Sequence, residues 1–136
     1  MSSVIVRENG LGRYQQEIIA GEHRFIGDEP PALGGADAGP APFDYLLAAL
    51  GACTSITLRM YAERKGLPLT HVNVELRHDR IEVDGQPRER IQRAIRLSGD
   101  LDETQRQRML EIAARCPIAR TLSQPLLIEN SLVETP

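Results

Sequence analysis

The 136-residue chain carries 16 Lys/Arg against 19 Asp/Glu, a net charge of −3, with 41% hydrophobic residues, the balance of one soluble globular domain spanning residues 1–136. No run of Lys/Arg offers a footprint for nucleic acid, and three Tyr, two Phe and no Trp leave few platforms for stacked bases. The longest apolar run, Tyr45 to Ala52, is far short of a membrane span, and the opening MSSVIVRENG lacks the pattern of a secretion signal. The expectation is a cytoplasmic chain whose two cysteines would pair only transiently.

Val4 to Arg7 and Tyr14 to Ile19 read as short strands, separated by the turn signal Asn9-Gly10-Leu11-Gly12. Gly21-Glu22 turns the chain again into His23–Ile26, a third strand that ends where Pro30 and Pro31 can donate no ladder hydrogen bond. The Gly-rich stretch LGGADAGP has neither a P-loop ending nor dinucleotide-fingerprint spacing, so it reads as a linker whose backbone passes close to something.

Pro42 suits a first helical turn and Asp44 complements the helix dipole there. Leu46, Leu50, Cys53, Thr57 and Met60 then recur at helical spacing, and Leu47, Ala48, Ala49 and Ala52 widen that face. The reading is a long helix buried on nearly every side in its first half and stopped by Gly66 and Pro68. Val72, Val74 and Leu76 alternate with polar residues and Asp84-Gly85 makes a turn. Ile91, Ile95 and Leu97 mark the returning strand of a hairpin with one wet face. Asp100 is the expected N-cap of a second helix, with Glu103 completing a capping box and Met109, Ile112, Ala113 and Cys116 on its inward stripe. Leu126–Glu129 reads as a last short strand. The order β-β-β-α-β-β-α-β is that of one α+β domain.

Free cysteines are often no more than small buried hydrophobes. Here Cys53 and Cys116 occupy the inward stripes of the two long helices, so packing those helices could bring the sulfurs near each other. Cys53 is roughly three turns from its helix N-terminus, beyond the reach of the dipole, so a thiolate there needs a cation from elsewhere, most naturally arginine. His71 and His78 fall on opposite faces of a strand and make no metal pair. His23 reads as structural, or as orienting the Asp28 and Glu29 carboxylates, which themselves read as a solvated turn. Arg88, Arg90, Arg93, Arg96, Arg106 and Arg108 are interleaved with acids and read as wet faces.

The series GADAGPAPFDYLLAALGAC, followed by Cys-Pro at 116–117, resembles the OsmC/Ohr family of thiol-dependent peroxide reductases over essentially the whole chain, and the 63-residue cysteine separation fits it. HRFIGDEPPALGG leading into GPAPFDYLLAALGACTSITLRMYAERKGLPL is most similar to the OsmC-like branch of YhfA type. The resemblance implies an OsmC-like α+β fold, with antiparallel sheets around a long buried central helix. It further implies a tightly intertwined homodimer with two active sites at the subunit interface. It assigns Cys53 the attack on the peroxide and Cys116 the resolution of the sulfenic acid to a disulfide, which an external dithiol, lipoyl-type in Ohr-like members, then reduces. Organic hydroperoxides are the implied substrates, and no bound cofactor or metal is implied.

In Ohr a glutamate follows the pre-helix proline and pairs with an arginine that holds the thiolate. Here Phe43 stands in its place and Asp44 follows, about 100° further around the helix. The arginine that most nearly matches is Arg13, with Arg24 its competitor. Two other readings of the same residues stand beside the peroxidase: a non-catalytic domain holding an apolar ligand, and a redox sensor that forms the disulfide without turnover.

Overall fold

The computed structural model describes residues 2–134 as an α+β chain. Three strands, β1 (Ile5–Glu8), β2 (Gln16–Ala20) and β3 (His23–Gly27), are followed by a 3-10 turn at Pro31–Leu33 and the long helix α1 (Pro42–Lys65). The hairpin β4 (Leu69–Val83) and β5 (Gln86–Gly99) comes next, then α2 (Glu103–Ala113) and α3 (Pro117–Leu122). The chain divides into two compact units, one running to Ala49 and including His78–Arg90, the other comprising Leu50–Arg77 and the chain from Ile91 onward.

In the first unit β1, β2 and β3 form an antiparallel sheet in that order, with Ile5 opposite Ile19 and Ile18 opposite Phe25. Arg7 and Arg24, on the two flanking strands, both donate to the Glu17 carboxylate at 2.9 and 2.7 Å and hold its pKa below the ordinary carboxylate value. The expectation that Asp28 lies in a solvated turn is overturned. Asp28 is only 3% exposed and accepts the backbone N–H groups of Glu29, Ala36 and Ala38 at 2.7–3.2 Å. One carboxylate thus satisfies three amides of an irregular segment that has no ladder of its own. The close backbone approach expected of the Gly-rich linker is found at Gly35 and Gly39. A Cβ at these positions would lie 1.9 Å from the Glu29 carbonyl oxygen and 2.2 Å from that of Ile26. Tyr45 donates its hydroxyl to the Ile26 carbonyl and packs its ring against Phe25. At the hairpin tip Asp84 and Gly85 both have positive φ, 51° and 76°, the geometry of a type I′ turn.

In the second unit Leu58, Tyr61 and Ala62 of α1 pack with Leu69, Leu101, Met109, Ile112 and Ala113. Full burial of such side chains is worth about 1.5–3 kcal/mol each. The hairpin alternates as its sequence predicts, Val72, Val74 and Leu76 half-buried and Asn73, Glu75 and Arg77 exposed. At Gly51, in mid-helix, a Cβ would sit 2.7 Å from Leu76 Cδ1, so the missing side chain lets β4 lie close against α1. Gly66, at φ 66°, ends the helix as expected, its N–H on the Glu63 carbonyl and that of Leu67 on Ala62.

Several expectations are corrected. The buried stripe of α1 is Leu50, Gly51, Thr54, Leu58, Tyr61 and Ala62. Ile56 and Met60 are 54% and 65% exposed, and Ala48, Ala49 and Ala52 are exposed too. By length and composition α1 would meet the measure of a membrane span, yet this stripe is buried on protein. The N-cap of α2 is Asp102, not Asp100. Its carboxylate accepts the Gln105 amide at 2.7 Å and the Gln105 side chain accepts the Asp102 N–H at 2.9 Å, a complete capping box one turn-half later than the acidic pair Asp100/Glu103 suggests. Arg106 is not on a wet face, since it donates to the carbonyls of Leu97, Gly99 and Leu101. Residues 126–129 form no strand, because a strand needs a neighbour for its ladder and, among the described residues, the only sheets are β1-β2-β3 and β4-β5.

Candidate active site

Both cysteines lie in the second unit and neither is disulfide-bonded. Helix α2 stops at Ala113, three residues before Cys116, so Cys116 is not on its stripe. Instead Pro117, which cannot continue a helix but suits the first turn of one, starts α3 with Cys116 as its N-cap in extended conformation. The Cys116 sulfur accepts the Ala119 N–H at 3.4 Å and is fully buried. It packs with Leu50 and Ala119, and Cys53, Leu76, Ile91 and Ile118 close around this cluster. Cys53, from α1, is only partly buried and packs against the cluster that holds Cys116. The two cysteines thus share one cluster, but Cys116 reaches it from the start of α3 and not from the α2 stripe that the sequence suggested.

Two further groups complete the site. Thr54, fully buried on α1, places its hydroxyl oxygen 3.8 Å from Cys116 Sγ and donates to the Leu50 carbonyl at 2.7 Å. Arg93, from β5, donates through Nη1 to Thr54 Oγ1 at 2.9 Å and to the Ala113 carbonyl at 3.1 Å. Burial, the largest influence on Cys116, pushes its thiol up. The Ala119 amide, the Thr54 hydroxyl, the Cys53 thiol and the Arg93 charge outweigh it and bring the thiol below its ordinary value. The arrangement can hold a thiolate in a dry cluster beside a second, more accessible sulfur.

The reading of Arg93 as a wet-face residue is thus overturned. Its signal was present in the strand period: Arg93 is in phase with Ile91, Ile95 and Leu97, all on the half-buried face of β5. Thr54 gave a weaker signal, four residues after Leu50 and four before Leu58 on the buried stripe.

Arg13, Arg24 and Asp44 lie in the first unit. The Asp44 carboxylate accepts the Ala41 N–H at 2.9 Å and caps α1. The Arg13 guanidinium lies 4.8 Å from the centre of the Tyr14 ring, while Arg24 is engaged by Glu17. The same unit contains an apolar cavity of about 540 Å³ whose walls include Val4, Val6, Ile18, Phe25 and Tyr45.

A family model described as OsmC-like protein matches residues 34–130. Comparison with curated protein sequences finds no match. Among solved structures, the OsmC-like protein from Mycoplasma pneumoniae aligns with a TM-score of 0.70 at 21% identity, over 90% of this chain and 86% of that one. An organic hydroperoxide resistance protein OsmC from Legionella pneumophila gives 0.68 at 16% identity, over 90% and 88%. The organic hydroperoxide resistance protein OhrB of Bacillus subtilis gives 0.61 at 20% identity, over 88% of each chain. These likenesses establish a shared fold.

Proposed function

Since the chain belongs to the OsmC-like family, we propose that it defends against oxidative stress by reducing organic hydroperoxides with its two thiols. The observation that carries this reading is the meeting of two free cysteines from separate elements, Cys53 accessible and Cys116 buried beside an arginine, in one apolar cluster. Structural relatives named as organic hydroperoxide resistance proteins support it.

In the proposed cycle the Cys53 thiolate attacks the peroxide O–O bond, leaving a sulfenic acid and releasing the alcohol. The Cys116 thiolate then attacks that sulfur, the S–O bond breaks, and hydroxide leaves as water once protonated. An external dithiol of lipoyl type reduces the resulting disulfide. The exposed apolar surface of α1 next to Cys53, formed by Ala49, Ala52 and Ile56, suits an alkyl or acyl tail. We assign Arg13 and Asp44 to the support of the Cys53 thiolate. Arg24 is already paired with Glu17, whereas Arg13 has no ion pair among the described residues. The proposed working form is a cytoplasmic homodimer with sites at the subunit interface, consistent with Ile56 and Met60 standing exposed on the central helix.

The test is consumption of cumene or tert-butyl hydroperoxide with dihydrolipoamide by the wild type, Cys53→Ser and Cys116→Ser. Turnover lost in the Cys53 variant and sulfenic acid trapped in the Cys116 variant support the cycle. Equal slow consumption by all three removes it. The second reading, a binding domain for an apolar small molecule, is favoured by the cavity of the first unit and would then be pursued by ligand extraction and mass spectrometry.

A further inference from the structure

Building on the two-thiol cycle, we propose that Arg93, acting through Thr54, is a positioning residue that makes Cys116 the leaving sulfur when the disulfide is reduced, so that the incoming dithiol attacks Cys53. Thr54 has one hydroxyl hydrogen and stands among three partners: the Leu50 carbonyl at 2.7 Å, Arg93 Nη1 at 2.9 Å and Cys116 Sγ at 3.8 Å. Arg93 can only donate, so the Thr54 oxygen is always an acceptor toward it. While Cys116 is a thiol, the Thr54 hydrogen rests on Leu50 and the S–H can donate to Thr54. When Cys116 is a thiolate, the same hydrogen is free to turn to the sulfur, with the permanent Arg93 charge behind it. The Ala113 carbonyl holds the same Nη1 at 3.1 Å and fixes the guanidinium in that position. The groups that act on Cys116 are then Cys53 and Thr54 from α1, Arg93 from β5 and the Ala119 amide from α3.

Accessibility points the same way as electrostatics, because Cys116 is fully buried and Cys53 only partly so. In the exchange step a reductant thiolate attacks Cys53 Sγ, the Cys53–Cys116 bond breaks, and its electron pair leaves on Cys116. A mixed disulfide between the reductant and Cys53 remains. The second reductant thiol, deprotonated, then displaces Cys53, which takes up a proton, and the reductant closes to its own disulfide. The better-stabilised thiolate is the faster leaving group.

The experiment reacts the oxidised full-length protein with limiting 2-mercaptoethanol, quenches it in acid and maps the adduct by peptide mass spectrometry. The expected adduct is on Cys53, with its formation slowed about threefold or more in Thr54→Val and Arg93→Met and restored in Thr54→Ser. An adduct on Cys116, or one spread over both sulfurs, overturns the proposal. So does an adduct on Cys53 whose rate ignores both variants. In parallel, thiolate absorbance of Cys116 is titrated in the Cys53→Ser background, where no peroxide chemistry is needed. Thr54→Val shifts that titration to higher pH and Thr54→Ser does not; an unmoved titration removes the role of Thr54. A disulfide that forms with a diazene oxidant but not with hydroperoxide would sink the peroxidase reading while leaving the exchange test intact. No disulfide under either treatment overturns both.

Discussion

Arg93 and Thr54, 39 residues apart in the chain, meet with Nη1 2.9 Å from Oγ1, and the same nitrogen reaches the carbonyl of Ala113. An arginine on the inner face of a strand, an uncommon place for a cation, thereby joins β5, α1 and the end of α2 around Cys116.

Arg93→Met keeps the length of the side chain and removes its donors. Thr54 keeps the Leu50 carbonyl and the Ala113 carbonyl keeps the Cys116 N–H, so neither is orphaned, and losing the two bonds from a charged donor costs on the order of 1–3 kcal/mol in all. Urea denaturation should show a lower midpoint with an unchanged slope, and Arg93→Lys should recover part of the difference.

Cys116 has a folded-state pKa below its unfolded value. Ionisation therefore favours the folded state. The contribution is present in full above the unfolded thiol pKa and is lost as the pH falls through the folded one. Under reducing conditions, the stability gap between wild type and Cys116→Ser should widen from neutral into mildly alkaline solution. A gap that narrows over that range would contradict the assigned direction.

The amides of Ala38 and Glu29, with a smaller contribution from Ala36, hold the Asp28 pKa below the ordinary carboxylate value. Its contribution is complete above the unfolded carboxylate pKa and disappears as acid titrates the folded group. Asp28→Asn should be less stable than wild type at neutral pH, and the two should converge in acid. Proteolysis within residues 33–41, the segment Asp28 ties down, should accelerate in the variant at neutral pH.

Gly51 faces Leu76 across a gap that a Cβ would close to 2.7 Å. The obstacle is the tip of a flexible side chain, and alanine adds helix propensity of about 1 kcal/mol. Gly51→Ala should therefore be close to neutral. Gly51→Val, which also crowds the helix, should lower stability by about 1–3 kcal/mol in thermal or urea unfolding.

Ile56 and Met60 project from α1 one turn apart, both more than half exposed. If α1 lies at the centre of a homodimer as proposed, light scattering should give a dimer for the wild type, and Ile56→Glu should give a monomer that keeps its far-ultraviolet circular dichroism. A wild-type monomer would remove the dimer from the proposal.

Much of the fold was legible locally. The helix Pro42–Lys65, its stop at Gly66, the Asp84-Gly85 turn and the alternating hairpin all follow from periods and turn residues that act within a few positions. Boundaries were less legible. Two overlapping acid-x-x-acid/amide patterns competed at Asp100 and Asp102, and only burial of Leu101 before the helix separates them. The segment 126–129 has strand composition without a partner strand among the described residues, so composition misled. On α1 the apolar residues are too many for one face, and periodicity could not tell the Leu50–Thr54–Leu58 stripe from the one through Met60.

By itself the sequence determined the α+β order of elements from β1 to α2 and the family resemblance. Each of these rests on interactions between near neighbours, or on a pattern carried along the chain. Only the tertiary structure decided which arginine stands behind the buried sulfur. The sequence put Arg13 and Arg24 forward for the Cys53 thiolate and read Arg93 as a wet-face residue, yet Arg93 is the arginine that Thr54 links to Cys116. Hydrogen bonds and Coulomb forces depend on separation in space, and residues 54, 93 and 116 become neighbours only when α1, β5 and the turn before α3 pack onto one core.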